Sequence, residues 1–415
     1  MTDPEAPSQT KRSLVSTAAL FVMTLVLAAV FYYWRSVESG WWAELGFILS
    51  AAAAISVLIS EACDPFADAA QWVGCRLRLP PSVRGATLDA VASSMPELFT
   101  GLFFVTVALT GNKDQAQQLL DSSEGYGSTI ATCAGSSIYN LILIPAVCAI
   151  AMSFSRRDRP YINVSREVIN RDGMWVVFVQ AGLLVFLFQA KLHWWMGVVA
   201  LAAYAVYVLH LYVATLRFRE DLDEGTVANE DPNETATMFF GACEVRLNGY
   251  TSAIILVVAT LVAAIACYLL VDLTNQSAEA LGVTPFFVAV ILTAAVSSIP
   301  DTFMSLGSAR RGDDSGAMSN VFGSNIFDIC IGMSIPLIVC CYLNGWEPVV
   351  LEGPNNETLR GVVGLRVFLF VLTAVAMGCM WYYRRITRRT GWLFCALYAS
   401  FVAYAVLGAL GILNV

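Results

Sequence analysis

The sequence predicts an all-α integral membrane protein, with ten helices in two inverted halves of five plus one extra N-terminal transmembrane helix. Three observations predict it. The 415 residues are 57% hydrophobic and only 13% charged, and the apolar runs approach the ~20 residues that cross ~30 Å of hydrocarbon. The basic residues are segregated to one side of those runs. A two-helix sequence element occurs twice, in opposite orientations.

The apolar runs read as eleven spans, at 14–34, 43–62, 83–108, 127–150, 173–190, 193–215, 248–272, 283–307, 317–343, 362–382 and 392–413. With the N-terminus inside, nineteen Lys and Arg gather on the cytoplasmic side, among them Arg76, Arg84, Arg156, Arg171, Arg310, Arg384 and Arg388. The other side keeps five: Arg35, Lys113, Lys191, Arg360 and Arg366. Cytoplasmic loops carry such an excess, which orients the chain and places the C-terminus outside. The expected setting is the cell membrane. The first span follows "TKR" but ends in "FYYWRS" rather than a small-residue cleavage site, so residues 1–42 read as a tail and an uncleaved anchor. Residues 43–215 form the first five-helix half, 216–247 a charged cytoplasmic loop, and 248–415 the second half. The sequon at Asn233 falls inside and that at Asn356 outside. The eleven cysteines are scattered through apolar runs without a CxxC and read as packing. Nothing in the composition suggests nucleic acid, so the expected partners are lipid and inorganic cations, with a monomeric transport unit.

The repeat is visible by eye. "AVASSMPELFTG" (90–101) matches "AAVSSIPDTFMS" (294–305), and "AGSSIYNLILIP" (134–145) matches "FGSNIFDICIGM" (322–333). The copies lie in 83–150 and 283–343. Five spans separate their starts, so they enter the membrane from opposite sides. Inverted repeats whose polar, interrupted helices meet near the midplane are a signature of secondary transporters. Small residues such as Gly135 and Gly323 would also follow from close helix packing alone, but packing does not explain paired carboxylates in register. Ionisable residues inside a span are costly and mark functional sites.

The motif has a direct chemical reading. A proline within a span withholds one hydrogen bond from the carbonyl four residues earlier, so Pro96 should free the Ala92 carbonyl and Pro300 that of Val296. Ser93, Ser94, Ser297 and Ser298 add neutral oxygens, and Glu97 and Asp301 add charge. Ser136 and Asn140 are four residues apart, as are Ser324 and Asp328, so each pair shares a helical face. Hard cations such as Ca2+ take six to eight oxygens of these kinds. Asp301 and Asp328 are then partnered by a transported cation, with Glu97 across the pseudo-twofold axis. This is transport rather than catalysis, with no cofactor beyond the carried ions. An intramembrane aspartyl protease would also bury two aspartates, but neither a YD nor a GxGD motif is present in facing spans.

At these residues the chain resembles the sodium/calcium exchanger superfamily, most closely its potassium-dependent branch. The similarity covers roughly 63–150 and 273–340, including "CDPF" (63–66), "GATLDAVASSMPELF" and "ARRGDDSGAMSNVFGSNIFDI". It implies the ten-helix exchanger fold and exchange of Na+ for Ca2+ by alternating access. It also implies that the acids after each proline, Glu97 and Asp301, bind Ca2+, with Ser93 and Ser297 beside them for Ca2+ or Na+. Further ligands implied are Ala90, Ser94, Ser136, Asn140, Ala294, Ser298 and Ser324, and Asp328 implies K+ co-transport. Ala92 and Val296 stand where the family often has glycine. Asp89 departs from the pattern. It reads either as a cytoplasm-side relay for H+ or a cation, which would favour a cation/H+ antiporter, or as a carboxylate beside Arg84 at the helix start. The spans at 43–62 and 248–272 lack central charges, as gating elements moving over a fixed core would.

Overall fold

The computed structural model describes residues 6–37, 40–110, 115–157, 159–223, 234–351 and 361–412. Lys113, Arg360 and both sequon asparagines, Asn233 and Asn356, lie outside the described residues.

Among the described residues eleven helices are long and apolar enough to span a bilayer: Thr17–Val37, Trp41–Arg76, Ser82–Ala108, Ser122–Ser155, Arg166–Leu187, Trp194–Arg217, Gly249–Leu281, Pro285–Arg311, Asp314–Leu343, Val362–Tyr383 and Arg388–Ala409. They are called here the first to the eleventh span. The third, fourth, eighth and ninth are the most buried, at 61–67% of their apolar windows. These four carry the repeated motifs, so the polar residues that hydrocarbon would penalise sit at the centre. The other spans wrap them.

Two expectations about the wrapping helices need correction. The second span does not end at 62; it runs 36 residues, straight through Pro65, to Arg76. Its extension adds Asp64 and Asp68 beyond Glu61, while the centre of the expected span, 45–60, carries no charge, as expected. The seventh span is likewise long, at 33 residues, opening on an Asn248 capping box and closing at Gly282 in the left-handed conformation. Ile59 and Cys63 of the second pack against Ala266, Cys267 and Leu270 of the seventh. Nor is 216–247 a plain loop. The sixth helix continues to Asp223, and Thr235–Met238 pairs antiparallel with Cys243–Arg246. Short strand pairs also tie the two halves at their ends: Tyr161–Asn163 with Arg385–Thr387, and Lys191–Leu192 with Val349–Val350.

The repeats interlock through glycine. A Cβ at Gly135 would lie 2.6 Å from the Val290 carbonyl oxygen, and one at Gly323 would lie 2.6 Å from that of Ala86. Each glycine thus lets one repeat's helix press on the other repeat's backbone, at equivalent places. Gly323→Ala is therefore expected to cost about 1–3 kcal/mol through overpacking. Thermal melting of the purified protein in detergent should fall by several degrees. Gly378, which has nothing within 4 Å of its would-be Cβ, supplies the control: Gly378→Ala should leave the melt unchanged.

Candidate cation site

Each of the four central spans contains one π-helical turn. In the third and eighth these are Gly85–Asp89 and Ala289–Thr293, ending just before Ala90 and Ala294. In the fourth and ninth they are Tyr139–Leu143 and Asp328–Gly332, containing Asn140 and Asp328. The extra residue in such a turn rotates the side chains that follow it, and π-bulges cluster at functional sites. Their near-equivalent placement in the two repeats aims matching residues at one central cluster. The prolines act differently in the two copies. The third span stays helical through Pro96, whereas the eighth breaks at Ser298 (φ −89°, ψ 3°). There the capping N–H groups bond the carbonyls of Ala294 and Val296, so Val296 is not released as the proline rule suggested.

The cluster is rich in oxygen and poor in hydrogen-bond donors. Glu97, Asp301, Asp328, Ser93, Ser94, Ser136, Asn140, Ser297, Ser298 and Ser324 are all fully buried, at 0% exposure. The Ser136 Oγ lies 3.1 Å from Glu97 Oε1, 2.8 Å from Asp328 Oδ2 and 2.7 Å from Ser298 Oγ. Its single proton can serve one of these. Ser298 Oγ is 3.2 Å from the same Glu97 oxygen. Ser324 donates to Asp301 Oδ1 at 2.5 Å, and the Asn140 amide donates to Asp328 Oδ2 at 3.3 Å. That leaves five oxygens with no hydrogen-bond partner: Ser94 Oγ, Glu97 Oε2, Asn140 Oδ1, Asp301 Oδ2 and Asp328 Oδ1. Buried polar atoms are nearly always paired, so five orphans in one place require an explanation.

No ion pair recorded among the described residues supplies one. Among the described residues the ion pairs lie elsewhere, as Arg35–Glu44, Arg156–Asp314, Arg171 with Asp172 and Glu167, and Arg246–Glu234. Nor do three Asp, Glu, His or Cys side chains among them converge as a self-sufficient metal centre; carboxylates here alternate with hydroxyls and an amide. The remaining predicted residues adjoin these carboxylates along the third and eighth spans. Ser93 donates to the Asp89 carbonyl at 2.8 Å and Ser297 to that of Ala294 at 3.3 Å, which leaves the hydroxyl lone pairs to face elsewhere. The Ala90 carbonyl takes a 3.5 Å contact from Ser93. The Asp89 carboxylate accepts from Gln71 of the second span at 3.2 Å, while Arg84 donates to Cys75 Sγ at 2.8 Å. Neither reading of Asp89 named Gln71.

Sequence reasoning missed two groups. Asn320 donates to Ser305 Oγ at 2.9 Å and touches the Asp301 carbonyl at 3.5 Å; its spacing of four before Ser324 was the available signal. Gln180, with Ser137, Asn325 and Thr373, forms a second buried polar group, and a lone glutamine in "MWVVFVQAGLLVFL" could have pointed to it.

The family model for the sodium/calcium exchanger protein matches residues 45–213 and 251–407. The chain belongs to the sodium/calcium exchanger family. The family is one of membrane transporters that move inorganic cations, not of enzymes. Among its relatives, "Sodium/potassium/calcium exchanger 2" of Gallus gallus is 33% identical over 141 residues, 34% of this chain and 21% of the relative. "Sodium/potassium/calcium exchanger 1" of Bos taurus is 32% identical over 140 residues, 34% of this chain and 11% of the relative. The alignment thus spans about a fifth or less of these relatives' length. Solved structures of the sodium-calcium exchanger NCX_Mj share the fold. The form soaked with 2.5 mM Na+ and 0.1 mM Ca2+ superposes with a TM-score of 0.52 at 20% identity, over 84% of this chain and 95% of that one. The form soaked with 2.5 mM Na+ and 10 mM Sr2+ gives 0.54 at 20% identity, over 86% and 98%. The exchanger-family chain therefore has the ten-helix inverted-repeat fold with one additional helix ahead of it.

Proposed function

We propose that this exchanger-family protein carries Ca2+ across a membrane in exchange for Na+, by alternating access, with K+ carried alongside Ca2+. The observation that supports it most is the set of five unpartnered, fully buried oxygens on Ser94, Glu97, Asn140, Asp301 and Asp328. Hard cations bind just such mixtures of carboxylate, amide and hydroxyl oxygen. Glu97 and Asp301 are the charged ligands of the Ca2+, with Ser93, Ser94, Ser297 and Ser298 beside them. Ser136, Asn140, Ser324 and Asp328 complete the set, and the carbonyls of Ala90 and Ala294 close its edges. Several Na+ take the same oxygens in turn, which makes occupancy by the two ions mutually exclusive. The second and seventh spans, long and packed on one another across the front of the core, are the moving elements.

The arginine asymmetry supports an N-terminus inside and a C-terminus outside, with the cell membrane as the proposed setting. Each chain holds both repeats, so one copy is the transport unit. The test is 45Ca2+ uptake into Na+-loaded proteoliposomes diluted into Na+-free buffer. Uptake should require the Na+ gradient and grow when K+ is present outside. Uptake that ignores Na+ and collapses with a pH gradient would instead select cation/H+ exchange.

A further inference from the structure

We propose that Gln180 and Thr373, which lie outside both repeats, are positioning residues that set the spacing between the two halves of the cation site. The inference rests on the exchange reading above. It starts from hydrogen bonds directly behind the site. Ser137 and Asn325 each follow a site serine, Ser136 and Ser324, so their side chains project about 100° around the helix from those ligands. Ser137 Oγ donates to Asn325 Oδ1 at 2.5 Å, joining the fourth and ninth spans. Gln180 of the fifth span donates from Nε2 to Ser137 Oγ at 2.7 Å and to Asn325 Oδ1 at 3.3 Å. The hydroxyl of Thr373, in the tenth span, donates to Gln180 Oε1. Asn325 Nδ2 in turn donates to the Val321 carbonyl at 2.9 Å.

The chain of donors runs one way, from Thr373 through Gln180 and Ser137 to Asn325 and Val321. Each amide can take only one orientation in it. Ser137 and Asn325 are 0% exposed and Gln180 is 2% exposed, so a Leu at 180 would satisfy packing without these polar groups. The fifth and tenth spans are the fourth helices of their halves. The network is thus nearly symmetric about the same axis as the site.

Its consequence concerns the filled site. On the cavity side the fourth and ninth spans are joined by the bond from Ser136 to Asp328. A bound cation draws the same two oxygens to itself. The Ser137–Asn325 bond, held by Gln180, then fixes how far apart Ser136 and Asn140 stand from Ser324 and Asp328. That separation determines cavity size and hence which divalent ion fits.

The experiment compares 45Ca2+ uptake and its competition by Sr2+ in proteoliposomes of wild type, Gln180→Leu, Thr373→Val and Thr373→Ser. Removing residues that orient metal ligands typically costs 10–100-fold in metal affinity, so Gln180→Leu should raise the half-saturating Ca2+ about tenfold. The Sr2+ to Ca2+ preference should shift with it, while the maximal rate per folded molecule stays near wild type. Thr373→Val should move both readouts in the same direction, and Thr373→Ser, which keeps the hydroxyl, should restore wild-type values. Unmoved half-saturation and preference in Gln180→Leu and Thr373→Val, with wild-type uptake intact, overturn the inference alone. If Gln180→Leu does not fold, Thr373→Val decides by the same readouts. Absence of cation uptake by the wild type overturns the exchange reading, and this inference with it.

Discussion

Proteoliposomes carrying Glu97→Gln should lose at least about a hundredfold of their Na+-driven 45Ca2+ uptake. The substitution keeps the side chain's volume and its acceptor for Ser136 and Ser298, at 3.1 and 3.2 Å. It removes the charge and replaces one oxygen by a donor facing the other acceptors. Breaking a buried charge pairing by removing one partner costs about 3–5 kcal/mol. The Coulomb estimate agrees: one unit pair at ~3 Å with an effective dielectric of ~20 is worth roughly 5 kcal/mol. Each 1.4 kcal/mol is tenfold, so a hundredfold loss is the conservative figure. Asp301→Asn should behave alike, because Ser324 would still donate to the retained oxygen. Near-wild-type uptake by Glu97→Gln, at equal amounts of folded protein, would show that the Glu97 charge is not part of the cation's coordination.

Much of this arrangement was legible in the residues. The eleven spans follow from run length, and the repeat follows from matched prolines and acids at Glu97 and Asp301. Ser136 with Asn140 and Ser324 with Asp328 follow from helical spacing. What stayed hidden depends on tertiary context. The apolar run put the end of the second helix at 62, yet the helix continues through Pro65, which a bilayer helix tolerates when its neighbours satisfy the freed groups. That misplaced end put Gln71 outside the helix, and so concealed the partner of Asp89. The π turns leave no mark in composition or periodicity. The fate of the Val296 carbonyl was likewise decided by how the chain turns at Ser298, which no spacing rule specifies. Gln180 was visible as an isolated polar residue, but its partners lie on three other spans far away in sequence.

Asp328→Asn should convert K+-stimulated Ca2+ uptake into uptake indifferent to K+. Charge balance decides it, because the three carboxylates are fully buried and the ion pairs among the described residues lie elsewhere. Glu97, Asp301 and Asp328 together carry three negative charges when ionised, and one Ca2+ supplies two positive ones. A monovalent ion beside it removes the remainder, and an uncompensated buried charge is the costliest alternative. Asp328 is the one carboxylate of the three that does not follow a motif proline in the chain. Its Oδ2 is held by Ser136 at 2.8 Å and Asn140 at 3.3 Å, and its Oδ1 is unpartnered. On the proposed exchange reading the monovalent ion belongs to Asp328 and the Ca2+ to Glu97 and Asp301. An asparagine at 328 keeps an oxygen in place while lowering the charge to two, which Ca2+ alone balances. Measured as 45Ca2+ uptake from Na+-loaded proteoliposomes over a K+ titration, the wild type should rise with K+, and Asp328→Asn should give a flat line at a substantial rate. A variant that still rises with K+ along the wild-type curve would remove Asp328 from the monovalent site and require the third charge to be neutralised by a proton.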